Sequence, residues 1–267
     1  MNFGKYVNEF TKDLEFKNYS KNTIENYASQ VKLFLVDFTG IATKPSEVNQ
    51  QQIKEWIMQA KTTNTCKQRM SALKLFYKYT IKQPRKFRGI EYPRSEKHLP
   101  QVIDKDLIIK RINQIKNIKH KAILSLAFSV GLRVSEVVNL KIEDIDSTRM
   151  IIHIKNAKGR KDRIVPLSMN ILNLLRAYFK IHRPKVYLFN GQTSLKYSVT
   201  SCQKIFKQHI DKKSHFHILR HSSFTALLET GTDLRIIQKI AGHASSKTTE
   251  IYTHVTNKSL SKVTLPI

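Results

Sequence analysis

Residues 217–252 read HILRHSSFTALLETGTDLRIIQKIAGHASSKTTEIY, a helical periodicity punctuated by Gly231 and Gly242. His217 and Arg220 are three apart, so a helix places both on one face. Gly242 is a helix stop, and His243 follows it directly. Tyr252 comes nine residues later. Two imidazoles, a guanidinium and a phenol in one segment point to phosphate chemistry. Arginine grips phosphate oxygens with a two-pronged fork. Histidine moves protons near neutral pH. A tyrosine hydroxyl becomes a nucleophile once its proton is taken.

The charge of the whole chain agrees. Its 267 residues hold 47 lysines and arginines against 20 acidic residues, a net +27. Such an excess repels itself unless a polyanion neutralises it. The basic residues are spread along the chain rather than held in a tail, which suits a broad nucleic-acid footprint better than an anionic membrane surface. Cys66 and Cys202 are the only cysteines and form no CxxC pair, so neither a disulfide framework nor a cysteine-rich zinc site is supported. That usage fits a reducing cytoplasm. The opening MNFGKYVNEF carries charges where a secretory signal needs an apolar run. The apolar segment 122–132 is too short to span a bilayer. The expectation is a soluble cytoplasmic protein with no membrane partner.

Going back to the start, residues 1–82 read as roughly four helices. One begins near Phe3. The next carries the stripe Ile24, Tyr27, Val31, Phe34, Leu35 and Phe38, with Ser20 or Asn22 as its cap and Glu25 completing a capping box behind Asn22. A turn at Pro45 and Ser46 leads to Ile53, Trp56, Ile57 and Ala60. The last stripe is Cys66, Met70, Leu73 and Tyr77, with Lys67, Arg69, Lys74 and Lys78 on the same helix. Residues 83–100 hold three prolines, Gly89 and dense charge, and read as an extended basic linker. The domain division is thus 1–82, a linker at 83–100, and 101–267.

In the second part Asp104 reads as a helix cap, and 121–130 as a buried helix ended by Gly131. Arg133 opens the next turn in GLRVSEVVNL, with Glu136 three residues on and able to orient it. Residues 150–154 and 163–167 are β-branched runs flanking KNAKGRKD, a hairpin signal. Pro166 places the second run at a sheet edge. The turn offers Lys155, Lys158 and Lys161 as rival proton donors, with Lys158 favoured by its place before Gly159. Ser168 caps a helix, 187–189 reads as a short strand, and 199–210 as an amphipathic helix. Tyr27, Tyr77, Tyr178 and Trp56 fall on apolar stripes and read as core.

Arg133, Lys158, His217, Arg220, His243 and Tyr252, in that order and in those elements, resemble the tyrosine recombinase (phage-type integrase) family, specifically its compact Xer-like bacterial members. The segments SKNTIENY and SSKTTEIYTHV carry the likeness to both ends of the chain. The resemblance implies a mainly α fold with a small antiparallel β-sheet. It pairs a four-helix SAM-like core-binding domain with an α+β catalytic domain, arranged as a C-shaped DNA clamp. It implies site-specific recombination through a 3′-phosphotyrosyl intermediate and a Holliday junction. Tyr252 would be the nucleophile and His217 the proton acceptor. Arg133 and Arg220 would clamp the phosphate, Lys158 would protonate the leaving oxygen, and His243 would hydrogen-bond the phosphate. No cofactor, metal or ATP is implied. The partners are double-stranded recombination sites and a homotetramer on two duplexes, with accessory DNA-bending proteins as candidates.

Three other readings compete. A type IB topoisomerase shares the chemistry but relaxes one site. A DNA-binding protein that has lost catalysis need not keep all six residues. A zinc site at His217, His221 and His243 would lack the glutamate of HExxH and place Arg220 beside the metal. His221 reads as structural.

Overall fold

The computed structural model describes residues 3–94, 100–155, 162–243, 245 and 247–253. The chain divides into two compact units, Met1–Lys97 and His98–Ile267.

The first unit is helical: α1 (Phe3–Phe16), α2 (Lys21–Asp37), α3 (Gln50–Met58) and α4 (Thr63–Tyr79). Ser20, rather than Asn22, caps α2 and accepts from the Thr23 amide at 3.2 Å. Asn49 and Gln52 form a reciprocal capping box at α3, which satisfies two amides the helix cannot use. Phe10, Phe34, Trp56, Phe76 and Tyr77 fill the core. Trp56 donates to Asp37 at 2.7 Å, and Tyr77 donates to the Pro45 carbonyl at 2.7 Å, so each buried aromatic satisfies its polar end. Arg69 does not join the exposed lysines of α4. It donates to the Trp56 carbonyl and lies 4.1 Å from the indole ring. Residues Pro84–Phe87 lie in the segment read as linker, yet they form a 3₁₀ turn whose Phe87 is buried in this same core.

The second unit begins with α5 (Lys105–Asn113), capped by Asp104 through the Asp106 and Leu107 amides. It continues through α6 (Ile118–Ser129) and α7 (Val134–Asn139). Three short strands follow: β1 (Ile145–Asp146), β2 (Ile151–Ile154) and β3 (Arg163–Pro166). They pair antiparallel in the order β1-β2-β3, with Ile154 opposite Arg163 and Ile151 opposite Pro166. β3 is therefore an edge, where Pro166 costs no ladder bond. The strand expected at 187–189 is a single bridge between Tyr187 and Lys141. Then come α8 (Met169–His182), capped by Ser168, and α9 (Val199–His209). α10 (His217–Glu229), α11 (Leu234–Ala241) and α12 (Lys247–Glu250) follow.

Helix α6 is apolar around most of its circumference and is buried at Ala122, Ile123, Leu124, Leu126 and Ala127. It forms the floor beneath α8 and α10. Its successor, Gly131, has φ +62, and a Cβ there would meet the Phe224 ring of α10 at 2.6 Å. Phe224 is fully buried and cannot retreat. Gly131→Ala should therefore cost roughly 2–4 kcal/mol, from the left-handed backbone and the overpacked ring together. A thermal melt checks this, and an unchanged melting temperature would contradict it.

Candidate active site

Arg220 lies one turn into α10 and is 1% exposed. Burying a guanidinium requires that its donors be used. One amino group donates to the Gly131 carbonyl at 2.6 Å. The other donates to the Ala241 carbonyl at 2.6 Å and reaches His243 Nε2 at 3.0 Å. The guanidinium carbon sits 4.7 Å from the Phe224 ring. The Ala241 carbonyl closes α11, just before the left-handed Gly242, and the other belongs to the left-handed Gly131 that follows the cap of α6. The α11 end thus offers an unpaired carbonyl to the cation, as the helix dipole favours. Burial lowers the Arg220 pKa to about 9, with Arg133 adding to the effect, and the group stays charged at neutral pH.

Arginine has no acceptor, so His243 Nε2 must accept in the contact with Arg220. Its Nδ1 then carries the proton and donates to Thr249 Oγ1 at 2.9 Å. This fixes a neutral tautomer. Burial and then Arg220 lower the His243 pKa to about 4, consistent with that state. Thr249 is fully buried, so this bond also anchors the segment that carries Tyr252.

Tyr252 is 2% exposed. Its ring stands edge-on to Phe224 at 5.4 Å, and its hydroxyl lies 3.0 Å from His221 Nδ1. The expected acceptor was His217. The structure instead puts His221, one turn further along α10, on the phenol, with His217 edge-on behind it at 4.7 Å. Burial raises the Tyr252 pKa, against the pull of Arg220 and Arg133, so the phenol rests protonated. Burial, then Arg220 and His215, lower His221 to about 4. His217 is lowered by packing and then by His221, Arg220 and Arg133, but its residue is exposed, where water weakens each of these effects.

Arg133 caps α7 from a partly exposed position. Glu136 binds it twice, taking the backbone amide at 2.9 Å and the guanidinium at 2.8 Å. The same carboxylate receives a two-pronged contact from Arg163 at 2.8 and 2.7 Å. Burial alone would raise the Glu136 pKa, but Arg163 and Arg133 outweigh it and bring it to about 2. Lys158 and Lys161 lie outside the described residues. Their rival Lys155 is engaged with Asp144 at 2.8 Å and Glu143 at 3.3 Å. Arg133, His217, Arg220, His243 and Tyr252 all belong to the second unit, around the ends of α6, α10 and α11. No group of three or more metal-ligating side chains occurs among the described residues, and none of their helices is long and apolar enough to cross a membrane.

The phage integrase family model matches residues 101–259, and the phage integrase N-terminal SAM-like domain model matches residues 6–86. The chain belongs to the phage integrase family. It is a tyrosine-type site-specific DNA recombinase. The tyrosine recombinase XerA of Pyrococcus horikoshii is 32% identical to it, over 95% of this chain and 90% of that protein. A crystal structure of XerA recombinase aligns over 98% of this recombinase and 97% of that chain, with 28% identity and a TM-score of 0.55. The XerH recombinase bound to a palindromic difH substrate, in a post-cleavage complex, has a TM-score of 0.73 at 23% identity, over 92% of this chain and 80% of that one. That likeness establishes a shared fold.

His221 and His243 give the recombinase a definite pH response. Both have folded-state pKa values near 4, below the unfolded value of about 6.5. Between these values the unfolded chain binds more protons. Their contribution to stability is therefore present above about pH 6.5 and is lost as pH falls toward 4. Melting temperature should fall through that window. His221→Phe should flatten the fall, and a melting temperature independent of pH would contradict the neutral assignment.

Proposed function

We propose that the recombinase cleaves and rejoins duplex DNA with Tyr252 as its nucleophile. The observation that carries this is Arg220, a buried cation whose amino group touches His243 and which lies over the Phe224 ring that also meets Tyr252 edge-on. The phenol oxygen attacks the scissile phosphorus and forms a P–O bond. The bond from phosphorus to the 5′ oxygen breaks, leaving a 3′-phosphotyrosine and a 5′-hydroxyl. Arg133 and Arg220 stabilise the charge that builds on the non-bridging oxygens. Lys158 supplies the proton to the leaving 5′ oxygen.

Ionising a free tyrosine at pH 7 costs ~4 kcal/mol, and burial makes Tyr252 harder still to ionise. The phenol proton must therefore leave during attack, to His217 once DNA is bound, since without DNA the phenol rests against His221. His243 donates to the phosphate only after exchanging its present role, since its Nε2 now accepts from Arg220. The negative charge of an arriving phosphate favours that protonation. The ester stores the bond energy, so a 5′-hydroxyl from a second strand reverses the step without ATP or metal.

Residues 1–82 supply part of the DNA grip through exposed lysines such as Lys74 and Lys78, with 83–100 as the joining segment and 101–267 as the catalytic domain. The active assembly is a homotetramer on two duplexes, passing through a Holliday junction, with accessory DNA-bending proteins as candidate partners. DNA as substrate and two free cysteines fit work in the cytoplasm. The test uses DNA sites recovered by mapping genomic DNA that the wild type captures covalently. A plasmid with two such sites should be resolved or inverted by the wild type and not by Tyr252→Phe. Relaxation of a one-site plasmid without exchange between two sites would favour a topoisomerase activity instead.

A further inference from the structure

The geometry points to Arg163 as a positioning residue for DNA cleavage. It fixes the angle of Arg133 through Glu136, and the end of α11 that presents His243. This rests on the reading of Arg133 and His243 as phosphate contacts.

Arg163 is the first residue of β3. Its side chain is 7% exposed. It spends its donors at two separate places. The two amino groups take both oxygens of Glu136. Nε donates to the Ile240 carbonyl at 2.7 Å. Its aliphatic stem packs against Gly242, where a Cβ would meet Arg163 Cδ at 2.9 Å. One guanidinium therefore touches the carboxylate that holds Arg133 and the helix end directly before His243.

The carboxylate is saturated by this arrangement. Each Glu136 oxygen accepts once from Arg133 and once from Arg163. Arg163 restricts the carboxylate to one plane, and that plane dictates where the Arg133 fork points. Without Arg163, the Glu136 carboxylate is free to rotate toward Arg133 and draw its fork inward, away from an arriving phosphate. An ion pair that served stability alone would need no second contact at α11.

A misplacement of about 1 Å at a reacting centre can reduce rate roughly 100-fold. Arg163→Met should slow covalent adduct formation on a nicked duplex bearing a captured site by about 10–100-fold, with site affinity within about threefold of wild type. Arg163→Lys should recover part of the rate, since it keeps the charge and loses the fork. It also serves if Arg163→Met folds poorly.

The decisive readout is a pair of double variants. Combined with Arg133→Lys, Arg163→Met should add clearly less than it costs alone, because the route through Arg133 is already impaired and only the contact at α11 remains. Combined with Lys158→Arg, it should keep its full effect. Equal losses in both backgrounds, or a single variant as fast as wild type, would overturn the proposal. A wild type that forms no adduct at Tyr252 would instead overturn the reading of the site beneath it.

Discussion

Arg220→Lys should lose at least 100-fold in adduct formation and destabilise the fold, although it keeps the charge. The reason lies in three fixed acceptors: the Gly131 carbonyl, the Ala241 carbonyl and His243 Nε2. An ammonium on a flexible stem cannot reach both carbonyls in the plane of a fork. At least one buried carbonyl is left unpaired, at about 1–3 kcal/mol. Loss of a preorganised donor to the transition-state oxygens costs about 3–4 kcal/mol in rate. The two losses separate experimentally, by thermal melting without DNA and by single-turnover cleavage with saturating enzyme. A variant with wild-type stability would show that the carbonyls are satisfied without the fork.

Glu136→Ala should be the most destabilising change at the site. It strips the partner from two guanidiniums at once. The Arg163 side chain is 7% exposed and that of Arg133 19%. Breaking a buried pair from one side costs about 3–5 kcal/mol, because the remaining charge is left without compensation. Glu136→Gln keeps the shape but presents an amide N–H toward cations, so it should fall between wild type and alanine. Chemical denaturation checks the order. The carboxylate also sets an acid limit. Its folded pKa near 2 lies below the unfolded value of about 4.3. Its stabilisation is therefore present above about pH 4.3 and is lost as pH falls toward 2.

Much of the fold was legible because single residues with local physics announce its boundaries. Asp104 and Ser168 cap helices where an acceptor precedes an apolar stripe. Gly242 stops α11 in the left-handed conformation. The β-branched runs on either side of KNAKGRKD pair as read. β1 escaped notice because it is two residues long and depends on β2 for its identity. Residues 84–87 looked like linker from proline and charge, but one aromatic, Phe87, was enough to dock them.

The site was legible to the extent that its residues cluster along the sequence. The pairing of Arg133 with Glu136 follows from helical spacing. The pairing of Glu136 with Arg163 spans 27 positions and leaves no periodic trace. His221 was set aside as structural, yet only the curl of the chain after α12 decides which imidazole of α10 meets Tyr252. A faint signal was present, since His221 lies one turn from His217 and therefore shares its face. Arg69 shows the opposite error. It sits among lysines in the sequence but is held over Trp56, because a guanidinium stacks where an ammonium would stay in water.

The central claim is that one buried phenol takes covalent hold of DNA beside two arginines. The most direct measurement incubates the protein with a nicked duplex carrying a captured site, digests the trapped complex and locates the nucleotide by mass spectrometry. A 3′-phosphoryl group on Tyr252, a free 5′-hydroxyl on the released strand and no adduct with Tyr252→Phe are the predicted results. A nucleotide on any other residue, or equal trapping by Tyr252→Phe, would contradict the account.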